Sequence, residues 1–338
     1  MHRFWISFSR LTAGLVVLLM LVAVMPPRRC LAVGQTAEQA RFEQWLVDFR
    51  AEAAAAGISE ATLNSALAGL QPLPRIITAD QNQPEFKRSL DDYLGNAIND
   101  ARIDRGRKLL RENWKLLAET AKNFPVQSRF LVALWGIETN FGSNQGTVSI
   151  IQALATLAYD KRRSAYFRSE LLSALHIIDR DLVSLEELKG SWAGAMGQVQ
   201  FMPSVYLHNA VDFDRNGRID IRGSTADALA SAANYLAKLG WKSGWNWGRE
   251  VRLPDDFDPE LDGLEIQLRL DDWRKLGVRQ ESGAELPRAA IRASLIRPDG
   301  PAGRAFLVYD NYRRLLHWNR SHKFAIAVGL LADRIGRP

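Results

Sequence analysis

A change of texture near Glu250 restricts this chain more than any other feature. Before it, apolar residues recur at helical spacing over long stretches. After it, Pro254, Pro259, Pro287, Pro298 and Pro301 punctuate short β-like runs at Ile266–Leu270, Ile291–Ile296 and Phe306–Tyr309. Neither a uniform bundle nor a uniform sheet fits such a sequence. The expected fold is mainly α (α+β), a helical body with a small β-rich insert late in the chain.

Within the body, Phe42, Trp45, Leu46 and Phe49 predict a helix that Gly57 closes. Ser59 opens a second helix to Leu70. Three prolines make residues 71–84 read as an extended crossing, and Pro84 to about Lys122 as one or two long helices. Pro125 opens a helix running to Glu138. Further helices are expected around Ile150–Ala158, Ser164–Asp179, Ala226–Leu239 and Phe324–Ile335.

The composition, 47% hydrophobic and 24% charged, excludes disorder and a multi-span membrane protein. The formal charge is +6, but Arg3, Arg10, Arg28 and Arg29 precede residue 35 with no acid among them, so the rest carries +2. That gives no footing to nucleic-acid binding. Residues 1–34 read as a signal peptide: a basic start, a 15-residue apolar run from Leu11 to Met25, then small residues at Ala32 and Gly34. The alternative is a retained N-terminal anchor helix, although the run is short for a span and Pro26-Pro27 ends it. Cys30, the single cysteine, follows Arg29, which is the wrong neighbour for a lipid-anchored cysteine. The expectation is therefore export without disulfides; a monomer is expected as well.

Three motifs can carry chemistry. In Leu131–Gly142, Glu138 falls on the helix face of Leu131 and Leu134, with Trp135 beside it. A carboxyl there loses hydration, its pKa rises, and it can act as a general acid. A helix-end Glu reaching solvent past Gly142 is the plainer reading. In Gly190–Ser204, glycines and alanines allow a ligand close to the backbone, while Ser191, Gln198, Gln200 and Trp192 suit a neutral sugar. The same residues would also serve tight helix packing. Asp212, Asp214, Asn216, Arg218 through its carbonyl, and Asp220 follow the EF-hand pattern with Gly217 at the turn. Gly223 stands where the bidentate acid belongs, so either a weak calcium site or a metal-free turn is open. Ser224 to Asp227 reads as a capping box.

Taken in order, Trp135–Gly142, Asp160–Arg163, Gly190–Ser204, the Asp212 loop, Ala228–Tyr235 and Trp318–Ser321 resemble the membrane-bound lytic murein transglycosylase B family. The likeness runs from about Phe42 to Ile335, with Gln198 and Trp318 standing where many members carry Tyr. It implies a lysozyme-like core, here residues 123–249 with the EF-hand-like loop at 212–223. A helical lobe at 35–122, a β-rich insert at 250–310 and a closing helix at 311–338 surround it. By motif position it implies Glu138 as catalytic acid, and Ser191, Gln198, Gln200, Tyr235 and Asn319 as sugar-holding residues. Arg162, Arg163 and Tyr166 would line the cleft. The implied substrate is the peptidoglycan glycan strand. The implied reaction, in the periplasm, cleaves the MurNAc-β-1,4-GlcNAc bond to 1,6-anhydro-MurNAc ends, with no cofactor for the chemistry and a structural Ca²⁺ at most. Loose membrane association and cell-wall synthesis or remodelling enzymes as partners complete the expectation. A hydrolytic muramidase on the same scaffold and a non-catalytic peptidoglycan-binding protein are the competing readings.

Overall fold

The computed structural model describes residues 29–82 and 88–337. The expected signal peptide thus falls outside the described residues as far as residue 28. Among the described residues, those up to Arg41 belong to one unit and those from Phe42 onward to a second, compact one.

Fourteen helices and seven strands follow in the described residues. Helix α1 (Arg29–Ala55) stops where Gly57 takes φ +89°, a backbone state that glycine adopts without strain. Ser59, Ser89 and Asn99 cap α2 (Glu60–Ala66), α4 (Leu90–Ala97) and α5 (Asp100–Glu112) by accepting a backbone N–H three residues on. Two expectations are corrected here. Residues 71–84 are not wholly extended: Pro74 opens α3 (Pro74–Gln81), because a first-turn proline lacks only an N–H that the helix leaves unpaired anyway. The stretch to Lys122 is broken at Ile98 and Asn113 into α4, α5 and α6 (Trp114–Asn123).

Helix α7 (Ser128–Thr139) forms the centre of the body. Every residue from Phe130 to Gly136 is buried, because α5, α6, α11 (Thr225–Lys238) and α14 (His322–Ile335) all pack on it. A helix apolar all round is stable only when so enclosed. Pro125 lies ahead of it rather than in its first turn, with Gln127 at the N-cap. Helices α8 (Ile150–Tyr159) and α9 (Ser164–Asp179) pair with each other. Strand β1 (Val148–Ser149) pairs antiparallel with β2 (Lys189–Gly190). Helix α10 (Pro203–Asn209) packs on α9 and α11.

The late segment forms a five-stranded antiparallel sheet in the order β4-β6-β7-β3-β5: β3 (Gly248–Arg252), β4 (Leu268–Arg269), β5 (Arg279–Gln280), β6 (Arg292–Ile296) and β7 (Ala305–Val308). Helix α12 (Leu270–Lys275) buries Trp273 against the sheet's own small core. The single closing helix expected at 311–338 is two, α13 (Asp310–Trp318) and α14, separated at Asn319 and capped anew by Ser321.

Trp247, fully buried, joins the sheet to the body. Its indole donates to Asp333 at 3.0 Å, and Asp333 also pairs with Arg129 at 2.6 Å. The ring lies against Gly329 of α14, where an added Cβ would stand 2.2 Å from it. Gly329→Ala is therefore expected to cost about 3 kcal/mol, the upper end for overpacking. Gly95→Ala in α4, with nothing within 4 Å of the new atom, should be neutral or gain about 0.5–1 kcal/mol. Denaturant melts of the two variants make the comparison; equal midpoints would contradict this packing.

Candidate active site

Glu138 lies one residue from the end of α7, half-buried, above a fully buried hydrophobic turn. The chain stops the helix there with three consecutive left-handed residues, Asn140 (φ 50°), Phe141 (φ 59°) and Gly142 (φ 79°). Two of them are not glycine, so the turn stores backbone strain. Phe141 folds back edge-on to Trp135, their centroids 5.7 Å apart. Thr139 donates to the Gln198 carbonyl at 2.6 Å, tying the end of α7 to the glycine-rich segment. Position 138 is thus fixed from both sides.

Trp318, the last residue of α13, donates its indole N–H to Glu138 Oε1 at 2.6 Å. The same indole packs against Tyr235 of α11 and Phe201, each with centroids 5.4 Å away, and Phe201 meets Tyr235 edge-on at 5.8 Å. The three rings form an aromatic wall from three separate parts of the chain beside the carboxyl. Burial raises the Tyr235 hydroxyl pKa above its ordinary value.

The glycine-rich segment is a tight loop. Ser191 N–H donates to the Ala195 carbonyl at 2.8 Å, and its hydroxyl accepts from Ala195 N–H at 3.1 Å. Met196 and Phe201 exchange both backbone bonds. Gly190 must be glycine, since a Cβ there would lie 2.0 Å from the Ala195 carbonyl oxygen. Gln200, at φ 51°, donates to the Gly197 carbonyl at 3.0 Å and the Gln145 carbonyl at 3.4 Å. Asn319 follows Trp318 and accepts the Ser321 N–H at 3.0 Å.

Gln198 requires a correction. It is 4% exposed, donates to the Arg222 carbonyl at 3.2 Å and accepts from Thr225 at 3.4 Å. It braces the loop from beneath instead of facing a ligand. Arg162 and Arg163, in the α8–α9 turn, both clamp Asp80, a buried carboxylate at the end of α3. Tyr166 is 47% exposed, yet its hydroxyl is pushed up to about 12. Burial of that end is the main cause; Glu170 adds to it, while Arg163 and Arg320 oppose it. Tyr235 adds a smaller upward push.

The Asp212 loop differs from its expected ligand pattern. Asp212 and Asp214 come together with Asp227, one oxygen of each within 4.8 Å of the others. Asp227 is fully buried, three residues after Ser224, the N-cap of α11. One of its oxygens accepts the N–H of Phe213 at 2.8 Å and of Asp214 at 3.4 Å, the other that of Asp220 at 2.8 Å. Burial raises its pKa, against the lowering from those three donors. The expected capping box is half formed: Ser224 accepts the Asp227 N–H at 3.2 Å, but the Asp227 carboxylate turns to the loop instead of returning the bond. Asp220 also shapes the loop. Its Oδ1 accepts from Arg222 N–H at 3.0 Å and Gly223 N–H at 2.7 Å, so it closes a turn outside the three-carboxylate group. Asn216 accepts the Arg218 N–H at 2.9 Å, shaping the loop around Gly217. Three carboxylates this close repel one another unless a cation or proton joins them, so the donor set fits a hard divalent ion.

Sequence reasoning passed over Trp318, Asp227 and Asp80 as site residues. Trp318 stood inside a recognised motif, and Asp227 was assigned to a cap. Asp80 carried no signal, since only the fold brings it to Arg162 and Arg163.

Set beside known proteins, residues 41–333 match the transglycosylase SLT domain. That model spans most of the chain, and the chain belongs to this family. Membrane-bound lytic murein transglycosylase B of Escherichia coli (strain K12) is 32% identical over 220 residues, 63% of this chain and 58% of that protein. The match thus spans less than two thirds of that relative. SltB3 from Pseudomonas aeruginosa, solved in complex with NAG-anhNAM-pentapeptide, superposes with a TM-score of 0.82 at 45% identity, covering 87% of this chain and 79% of that one. The E. coli lytic transglycosylase Slt35 in complex with calcium superposes at 0.73 with 26% identity, covering 92% of this chain and 98% of that one. The fold is accordingly mainly α, of the lysozyme-like lytic transglycosylase kind, with a β insert.

Proposed function

We propose that the protein is a periplasmic lytic murein transglycosylase, a lyase that cuts the MurNAc-β-1,4-GlcNAc bond of peptidoglycan without consuming water. The observation that carries this reading is the Trp318–Glu138 hydrogen bond within the aromatic wall. An indole N–H can only donate, so Oε1 accepts in both protonation states and the transferable proton is confined to Oε2. That defines an acid with one working oxygen. Glu138 protonates the glycosidic oxygen as the bond breaks. The N-acetyl oxygen of the muramic acid supports the developing positive charge at C1. Its C6 hydroxyl then attacks C1 while the Glu138 carboxylate takes the hydroxyl proton, which returns the acid to its starting form. Tyr235, Trp318 and Phe201 offer faces for the sugar, and Ser191, Gln200 and Asn319 offer neutral polar groups. Arg162, Arg163 and Tyr166 line the approach.

Glycosidases that use water usually need a second carboxylate. The acids of the neighbouring motifs have other partners. Glu170 accepts from Ser204 N–H at 3.0 Å and Ser204 hydroxyl at 2.7 Å. Asp160 accepts the Arg162 N–H at 3.0 Å, and Asp212, Asp214 and Asp227 build their loop. Self-attack by the sugar supplies what they do not. Digestion of purified sacculi in heavy-oxygen water distinguishes the readings. The expected products are anhydro ends about 18 Da lighter than hydrolytic ends and free of label. One heavy oxygen at each new end would instead establish a muramidase. No cleavage at all by the folded protein would establish a binding protein.

The Asp212, Asp214 and Asp227 carboxylates would hold a structural Ca²⁺, with the Arg218 carbonyl completing the loop's oxygen donors. The ion supplies charge neutralisation and loop order; the sugar chemistry needs nothing from it. Asp227 provides the acid that Gly223 cannot, so the affinity should be tighter than about 10⁻⁴ M, above that of the weak site the loop pattern alone implies. Export rests on the basic, apolar leader, and no helix of the described residues is long and apolar enough to cross a membrane. A monomer acting on glycan strands, loosely associated with membrane and with other cell-wall enzymes, completes the proposal.

A further inference from the structure

One helix length from the aromatic wall lies a basic cavity of about 270 Å³ that the cleavage reaction does not use, lined by Lys242, Trp245, Gln267, Arg269, Arg292 and Asp310. Trp318 ends α13 and Asp310 begins it, eight positions earlier, so the two places are about 12 Å apart along the helix.

Two independent observations mark this cavity. Arg269 of β4 and Arg292 of β6 are register partners, directly opposite across an antiparallel pair. Like charges so placed destabilise the pairing. Both side chains are exposed, and among the described residues neither forms an ion pair. The cavity's single acid is already taken, because Asp310 is paired with Lys242. Lys242 also rides over the Trp245 ring, 4.7 Å from its centroid. Arg292 donates one N–H to the Gln267 carbonyl at 3.0 Å, which fixes its guanidinium toward β4.

We propose that Arg269 and Arg292 form a binding site for a peptide's C-terminal carboxylate, and that its source is the stem peptide of the glycan. Paired guanidinium forks match a planar two-oxygen anion, and an arriving carboxylate relieves the repulsion between them. The Gln267 amide and the Trp245 edge give neutral polar and flat apolar surfaces beside the charges, as the backbone preceding a terminal carboxylate needs and a bare phosphate does not. The choice of stem peptide rests on the peptidoglycan reading above; the carboxylate site itself does not.

Calorimetry on the full protein tests this with three probes: N-acetylated L-Ala-γ-D-Glu-L-Lys-D-Ala bearing a free C-terminal carboxylate, its C-terminal carboxamide, and inorganic phosphate. The free acid should bind about tenfold more tightly than the carboxamide, one charge-assisted pair's worth. Arg269→Gln/Arg292→Gln should erase that preference, and Arg292→Lys, which keeps the charge and loses the fork, should keep part of it. The double variant should melt at or above the wild-type temperature, since two opposed charges are gone. It should also cleave stem-free glycan at the wild-type rate. Equal binding of acid and carboxamide, a preference that survives the double variant, or phosphate binding as tightly as the peptide would each overturn the site. Failure of the wild type to cleave stem-free glycan would instead count against the lytic reading and leave the carboxylate comparison standing.

Discussion

Glu138→Gln should abolish turnover while the protein stays folded and still binds glycan. Gln keeps the shape and can still accept the Trp318 indole N–H at the Oε1 position, 2.6 Å away, so the aromatic wall persists. What is lost is the transferable proton and, after bond cleavage, the base that takes the C6 hydroxyl proton. Removing a group that serves both steps should cost at least about 10²–10⁴ in rate. The measurement is kcat on purified sacculi beside glycan co-sedimentation and a melting curve. Near-normal turnover in the folded variant would remove Glu138 from the mechanism. Trp318→Phe separates the acid from its positioning: the ring contacts survive and the donor does not, so the pH profile of kcat/KM should move while glycan binding holds.

Asp227→Ala should give a large loss of stability. Its carboxylate accepts the N–H groups of Phe213, Asp214 and Asp220 from a fully buried position. Truncation leaves three loop donors without that acceptor, at a cost of about 3–5 kcal/mol. Calcium should raise the melting temperature of the wild type and do nothing for Asp227→Ala or Asp212→Ala. The pH dependence has a definite sign. Burial raises the Asp227 pKa in the folded state, so without a cation the fold binds its proton more readily than the unfolded chain does. That contribution is fully present below the ordinary carboxyl pKa and is lost as the pH rises through the raised one. Calcium stabilisation should therefore grow as the pH rises through that raised pKa. A wild-type melting temperature indifferent to tens of millimolar calcium would reduce the loop to a hydrogen-bonded turn.

The sequence by itself determined the helical body, the late sheet, the places of α8, α9 and α11, and Glu138 on an apolar helix face. These are local matters: a 3.6-residue or two-residue period, and a serine or glycine at an end, act over a few neighbours and can be read in one dimension. Only the tertiary structure decided the rest. Pro74 could equally begin a helix or prolong an extended crossing, and the packing of α3 on α8 settled it. Gln198 looked like a sugar contact because its loop did, until its side chain proved to lie under Arg222 and Thr225. Trp318 is 180 residues from Glu138, and Asp80 is 82 from Arg162; no spacing rule spans such gaps. Asp227 fits a capping motif three residues after Ser224, yet its carboxylate bonds backward to Phe213 and Asp214. Local preference offers a side chain several partners at similar cost, and burial chooses among them, because a polar group removed from water must bond whatever the fold brings within reach.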